Sequence, residues 1–155
     1  YPRWEIVRYM VASVPWPYPE NGAENYVNNV ALPDMAKGIA WFWTIRRREA
    51  SDELMGLICL YDVEDNNRGF WLAPEFQGQG YMREASIAAT DYWFNTLNKP
   101  VLRAPKAAAN SRSRRISDSS GMRLIRTEKK AYVSGLLDSE LWEITRDEWN
   151  ARQVS

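Results

Sequence analysis

Two glycines one residue apart, Gly78 and Gly80, stand in "WLAPEFQGQGYMREASIAATDYWF", between an extended apolar run and a helical one. A helix start carries unpaired backbone N–H groups and a partial positive charge. Glycine lets a bulky anion approach that backbone and permits turn dihedrals. Strand, "QGQGYM", helix is therefore an arrangement that can hold phosphate. A Gly-rich turn can also serve geometry alone. No Gly-Lys-Ser/Thr follows, which excludes a Walker loop. Position 83 is Arg, so the G-x-G-x-x-G pattern is not met, and the preceding strands read as antiparallel rather than βαβ.

A second group lies in "NSRSRRISDSSG". Asn110 reads as a helix N-cap and Ser113 as an exposed residue three positions on. Arg112, Arg114 and Arg115 form a basic cluster, ordinarily a solvated face. The chain has no histidine, which removes the commonest general base and the commonest zinc ligand, and no metal site is expected. Proton transfer then falls to carboxylates, a tyrosine or a water chain. Asp62, Glu64 and Asp65 lie near the hairpin before the third strand. Glu75 and Glu84 read as a loop contact and a helix-start charge. Tyr132, near the last hairpin, is a rival proton donor. The single cysteine, Cys59, lies inside the apolar "LMGLICLYDV" and reads as a small core residue.

The elements that must position these residues follow from periodicity. Pro15, Pro17 and Pro19 forbid helix and force an extended or turning path. Ala23, Tyr26, Val27 and Val30 predict a helix over 20–31. "GIAWFWTIRRR", "ELMGLICLYDV" and "RGFWLA" read as three strands of an antiparallel meander. Met82, Ala85, Ala89, Trp93 and Leu97 predict a helix over 78–97. "VLRAPKAA" is a strand whose Pro105 cannot donate to a ladder, so one side should lack a partner there. A short helix over 110–121 and two last strands, "MRLIRTEKKAYV" and "SELWEIT", complete the order β-β-β-α-β-α-β-β.

Composition narrows the classes. The length, 155 residues, fits one domain over 1–155, and 45% hydrophobic residues can build a core. Twenty basic and twenty acidic side chains cancel, so no basic field argues for nucleic acid or an anionic membrane. No apolar run approaches the roughly 20 residues of a membrane span. No signal peptide pattern is seen, and a cytoplasmic protein is the expectation.

"QGQGYM" resembles the acyl-coenzyme A pyrophosphate loop of the GCN5-related N-acetyltransferases, Gln/Arg-x-x-Gly-x-Gly/Ala. Gln77 and Gly80 match; Met82 stands where Gly or Ala is commonest. "GFWLAPEFQGQGYMREA", "NSRS", "RRISDSSGM", "GLLDSELWEITRDEW" and "VPWPYPENGAENYV" are similar, in order, to segments of the ribosomal-protein-alanine acetyltransferase (RimJ/RimL-like) branch. The resemblance spans about residues 14–149. Three departures stand out. The family's first strand and the start of its first helix are expected to be missing or shortened ahead of Tyr1. Arg68 sits where relatives often place an acidic residue. Ser119 and Met122 replace the usual Lys and Phe.

The resemblance implies an α+β fold with a mixed, mostly antiparallel central sheet, splayed at the cofactor strand, and helices on both faces. It implies acetyl-CoA as cofactor and transfer of the acetyl group to a primary amine by direct attack on the thioester. The amine is a protein N-terminus or a small amine; the alternative is a weak or inactive CoA-binding module. The pantetheine arm would lie along Trp71, Leu72 and Ala73, with Leu72 N–H polarising the thioester oxygen. Backbone N–H groups of Gln79, Gly80, Tyr81, Met82 and Arg83, beside Gln77 and Gly78, would take the pyrophosphate. Asn110 and Ser113 would reach the arm and its sulfur, and Arg115 or a neighbouring arginine the 3′-phosphate. Ser113, Tyr132 and Glu64 are the catalytic candidates. Trp16 would border the acceptor, with Trp41 and Trp43 as further candidates for an aromatic wall. A homodimer built through exposed aromatic surface is compatible with either reading.

Overall fold

The computed structural model describes residues 3–154. A single short turn of helix, α1 (Trp4–Val7), opens the chain. After the proline-rich stretch, α2 (Gly22–Tyr26) runs through a π turn (Val27–Ala31) into α3 (Leu32–Ala36). Pro33 has no N–H to return to the ladder. The chain accommodates it with a wide turn, in which Leu32 N–H reaches Val27 O. The helix predicted over 20–31 thus extends five residues further.

Three strands follow: β1 (Ala40–Ile45), β2 (Gly56–Tyr61) and β3 (Arg68–Leu72). They form an antiparallel meander, with Phe42 opposite Cys59 and Leu57 opposite Trp71. Strand alternation assigns the faces. Phe42 meets Tyr26 of α2 edge to face, while Trp41 and Trp43 meet Trp93 and Tyr92 on the other side. The helices therefore cover both faces of this sheet.

The loop after β3 holds a 3-10 turn (Pro74–Phe76) and leads into α4 (Tyr81–Asp91), which ends in a π turn (Tyr92–Thr96). Strand β4 (Val101–Ala107), α5 (Ser111–Ser119), β5 (Arg123–Tyr132) and β6 (Gly135–Thr145) follow. The second sheet has the order β4-β6-β5, antiparallel throughout. The last strand begins four residues earlier than predicted, because β5 and β6 meet in a tight turn with Tyr132 opposite Gly135. A final helix, α6 (Arg146–Val154), is absent from the sequence-based order. Its start is a capping box: Glu148 N–H donates to Thr145 Oγ1, and Thr145 N–H donates to Glu148 Oε1.

Leu60, Leu102 and Ile144 from the two sheets share one buried core with Trp93, Phe94, Met55 and Trp149. Fully burying each such aliphatic side chain contributes about 1.5–3 kcal/mol. Trp93 keeps its indole N–H satisfied by donating to Val101 O at 2.9 Å. Cys59 belongs to the sheet interior, where burial pushes its thiol up to about 11. Its thiol donates to Tyr61 Oη at 2.8 Å, so it is no nucleophile at neutral pH. Among the described residues no helix is long and apolar enough to cross a membrane.

Candidate active site

The two sheets meet at one junction. Asn67 N–H donates to Arg103 O at 2.8 Å, and Arg103 N–H donates to Asn67 Oδ1 at 2.9 Å. Arg103 is held there by Asp65 and Glu143, at 2.7 and 2.8 Å. Beyond the junction β3 and β4 part, and a cleft of about 530 Å³ opens between their C-terminal ends.

Register shows which backbone groups face the gap. Ala73 N–H bonds Met55 O, and Tyr61 N–H bonds Asn67 O, so odd residues of β3 turn toward β2. Alternation directs the N–H and C=O of Phe70 and Leu72 to the splayed edge. Leu72 N–H is therefore available to the cleft, while its carbonyl accepts from Gln77 Nε2 at 2.7 Å. Trp71 and Ala73 turn their backbone groups the other way, toward β2, so of the three residues expected along the arm only Leu72 presents its N–H to the gap. On β4, Arg103 faces the junction and Ala108 N–H bonds Asp138 O, so odd residues face the gap. Pro105 is one of these, and its missing N–H falls where no strand pairs.

The loop that closes one end of the cleft has both glycines in the left-handed region, Gly78 at φ +76° and Gly80 at φ +88°. Gly80 is the N-cap of α4 and supplies no side chain to it. Glu84 N–H makes the first intrahelical bond, to Gly80 O, so the N–H groups of Tyr81, Met82 and Arg83 precede the ladder. A Cβ on Gly80 would meet nothing within 4 Å, and one on Gly78 would stand 3.9 Å from an Arg112 guanidinium nitrogen. Helix dipole, unpaired N–H groups and an arginine converge on one open pocket of backbone.

The other wall is the start of α5. Asn110 Oδ1 accepts from Ser113 N–H at 3.3 Å, as an N-cap does, and both residues line the cleft. Ser113 is largely buried rather than exposed, at 8%. The arginine cluster divides. Arg112 and Arg115 line the cleft, whereas Arg114 is tied to the buried Glu140 at 2.9 Å.

Several residues singled out by sequence lie elsewhere. Glu64 sits exposed in the β2–β3 turn, beyond the junction and away from the opening. Tyr132 is buried, with its hydroxyl 2.7 Å from Ser139 Oγ, and does not line the cleft. Asp65 serves the junction, and Glu75 pairs with Arg3 at 2.5 Å. Arg68 is buried, donating to Thr90 Oγ1 at 2.9 Å, so it faces α4 rather than the cleft. Burial lowers its pKa to about 10, and it stays charged at neutral pH. Next to it Lys106 donates to Ser117 Oγ, and burial, aided by Arg68, pulls its pKa well down. Trp43, Tyr81 and Glu84 border a separate hollow of about 580 Å³ between the β1–β2 hairpin and α4. That hollow has no splayed edge and no glycine loop, whereas the cleft has both.

One wall was not foreseen. Glu5, Ile6, Arg8 and Tyr9, on and just after α1, line the cleft. The segment spans the mouth. Arg3 binds Glu75, just past β3, and Tyr9 Oη donates to Ala109 O at 3.5 Å, just past β4. Ser134 Oγ donates to Arg8 O at 2.7 Å, and Val11 bridges Tyr132. Trp16 packs on Trp4, 5.4 Å between ring centroids, behind this wall. Four helical residues give too little periodicity to read from sequence.

The splayed strands, the glycine loop and the capped α5 form a cradle whose donor set suits an acyl carrier with a diphosphate. Residues 1–123 match the acetyltransferase (GNAT) domain family. No curated protein sequence matches the chain. Among solved structures, the Vibrio cholerae spermidine N-acetyltransferase in complex with CoA and spermine is similar, with a TM-score of 0.78 at 18% identity. The match covers 96% of this chain and 87% of that one. The ribosomal-protein-S5-alanine acetyltransferase of Vibrio fischeri gives 0.73 at 18% identity, covering 92% and 81%. RimL, the ribosomal L7/L12 α-N-protein acetyltransferase in complex with coenzyme A, gives 0.74 at 17%, covering 89% and 78%. With the family match spanning most of the chain, the protein belongs to the GNAT acetyltransferases, enzymes that use acetyl-CoA.

Proposed function

We propose that the chain transfers an acetyl group from acetyl-CoA to a primary amine by direct attack, in the manner of the RimJ/RimL-like branch. The observation that carries this is the unpaired edge of β3 ending at the glycine loop. The cofactor, when bound, supplies a thioester-activated acetyl group. The residues of this chain do the rest. N–H groups of Tyr81, Met82 and Arg83 hold the diphosphate, with Arg112 and Arg115 nearby for further phosphate charge. Leu72 N–H faces the gap and can polarise a carbonyl oxygen. Asn110 orients the first turn of α5, and the Ser113 hydroxyl holds a proton for the departing thiolate. No covalent enzyme intermediate is needed, and holding two reactants together supplies much of the rate. Arg68, buried against Thr90, does not enter the cleft and gives no reason to read the fold as inactive.

Thermal unfolding with acetyl-CoA, CoA and dephospho-CoA, followed by thiol release across an amine panel, tests the proposal. A ligand of the native state must raise the melting temperature. No rise at high ligand concentration defeats the reading; binding without thiol release for any amine favours a binding module.

A further inference from the structure

Resting on that reading, we infer that the acceptor is a small zwitterion, a single primary amine with a carboxylate a few ångströms away, and that Glu5 and Arg8 select it. Among the described residues that line the cleft there is one carboxylate, Glu5, against three arginines, Arg8, Arg112 and Arg115. Arg112 and Arg115 belong to the phosphate end, since Arg112 reaches the glycine loop and Arg115 rides on α5 beside it. Glu5 and Arg8 remain, on the wall formed by α1.

They are three residues apart around one turn of helix, so both project to the same face. The turn is fixed. Val7 is fully buried beneath it, Ile6 is buried beside it at the cleft wall, and the Arg3–Glu75 and Ser134–Arg8 bonds tie its two ends. Arg8 is further oriented by stacking over Tyr9, 4.6 Å from the ring centroid. A carboxylate and a guanidinium on one rigid face match an ammonium and a carboxylate of opposite order. The guanidinium also repels extra positive charge, so a polyamine is disfavoured, although spermine accompanies one of the similar structures.

The test compares alanine, alaninamide and spermidine as acceptors, read as thiol released, for the wild type, Arg8→Met, Glu5→Gln and Glu5→Asp. Binding of acetyl-CoA is measured for each protein. The wild type should favour alanine over alaninamide and spermidine by on the order of tenfold in kcat/KM. Arg8→Met should erase that preference while acetyl-CoA binding stays unchanged. Glu5→Gln should raise KM for every amine with kcat little altered, and Glu5→Asp should restore part of the loss. A free amino acid and a peptide with an acidic second residue share this chemistry. An Ala-Asp dipeptide amide, blocked at its C-terminus, distinguishes them: turnover above that of free alanine assigns the site to a protein N-terminus and overturns the small acceptor. Spermidine used as well as alanine, or a preference untouched by Arg8→Met, overturns the inference while the acetyltransferase reading stands. Thiol release with no acceptor at all overturns both.

Discussion

Replacing Gly80 separates the two reasons for a glycine there. The residue sits at φ +88° immediately before α4, and a Cβ on it meets open space. Crowding therefore adds nothing, and Gly80→Ala loses stability through backbone strain alone, about 1–2 kcal/mol for an L residue in this region. For a chain of this size that lowers Tm by roughly 2–8 °C. Aspartate suffers the same strain but regains roughly 0.3–1 kcal/mol from the helix dipole. Gly80→Asp should thus be at least as stable as Gly80→Ala. Cofactor affinity should move the other way. One negative charge about 5 Å from a doubly charged diphosphate costs about 1.7 kcal/mol even at the dielectric constant of water, roughly 17-fold in Kd. Titration of acetyl-CoA by calorimetry, at low and high salt, reads this directly. At low salt the Asp variant should bind about that much more weakly than the Ala variant, with a gap that narrows as salt screens it. Equal Kd values for the two, or a gap indifferent to salt, would refute the placement of phosphate at the start of α4.

Ser113→Ala should lower kcat well before it lowers acetyl-CoA affinity, in steady-state thiol release; unchanged kcat removes the proton from Ser113. Tyr132→Phe and Glu64→Gln should leave kcat close to the wild type, since neither side chain lines the cleft. Lys106 should reveal itself in stability against pH. Its amine is pulled well below the usual lysine value by burial, so the unfolded chain holds more protons from the folded pKa up to about 10.5. Wild-type stability should therefore gain from this group as pH rises through that window, by up to about 1.4 kcal/mol per unit. Lys106→Met lacks this gain, so urea unfolding should show the variant's advantage shrinking with rising pH; a constant difference contradicts the buried amine.

The first strands were legible because "GIAWFWTIRRR" and "RGFWLA" are rich in aromatic and apolar residues, and the long helix because apolar residues recur every three or four positions from Met82 to Leu97. Pro105 even marked the unpaired edge, since a missing donor is a local fact that no tertiary contact can restore. The capping box before α6 was also present, as Thr145 and Glu148, but a nine-residue polar helix has no apolar stripe to advertise it. The cleft's third wall was not legible. Glu5 and Arg8 reach it only because α1 is tied to Glu75, Ala109 and Ser134, 72 residues or more away in the chain. Glu64 shows the converse. It is a few residues from β3 in sequence, yet the cleft opens at the other end of that strand.

Asn67 and Arg103 close one end of the gap with a side-chain amide standing in for a further rung of ladder. Each half-sheet keeps its own hydrogen bonds on either side of that clasp. The gape of the V can consequently differ between homologous enzymes, or between free and loaded states, without unzipping a strand, and a change in the girth of the carried acyl group need only reset one hinge.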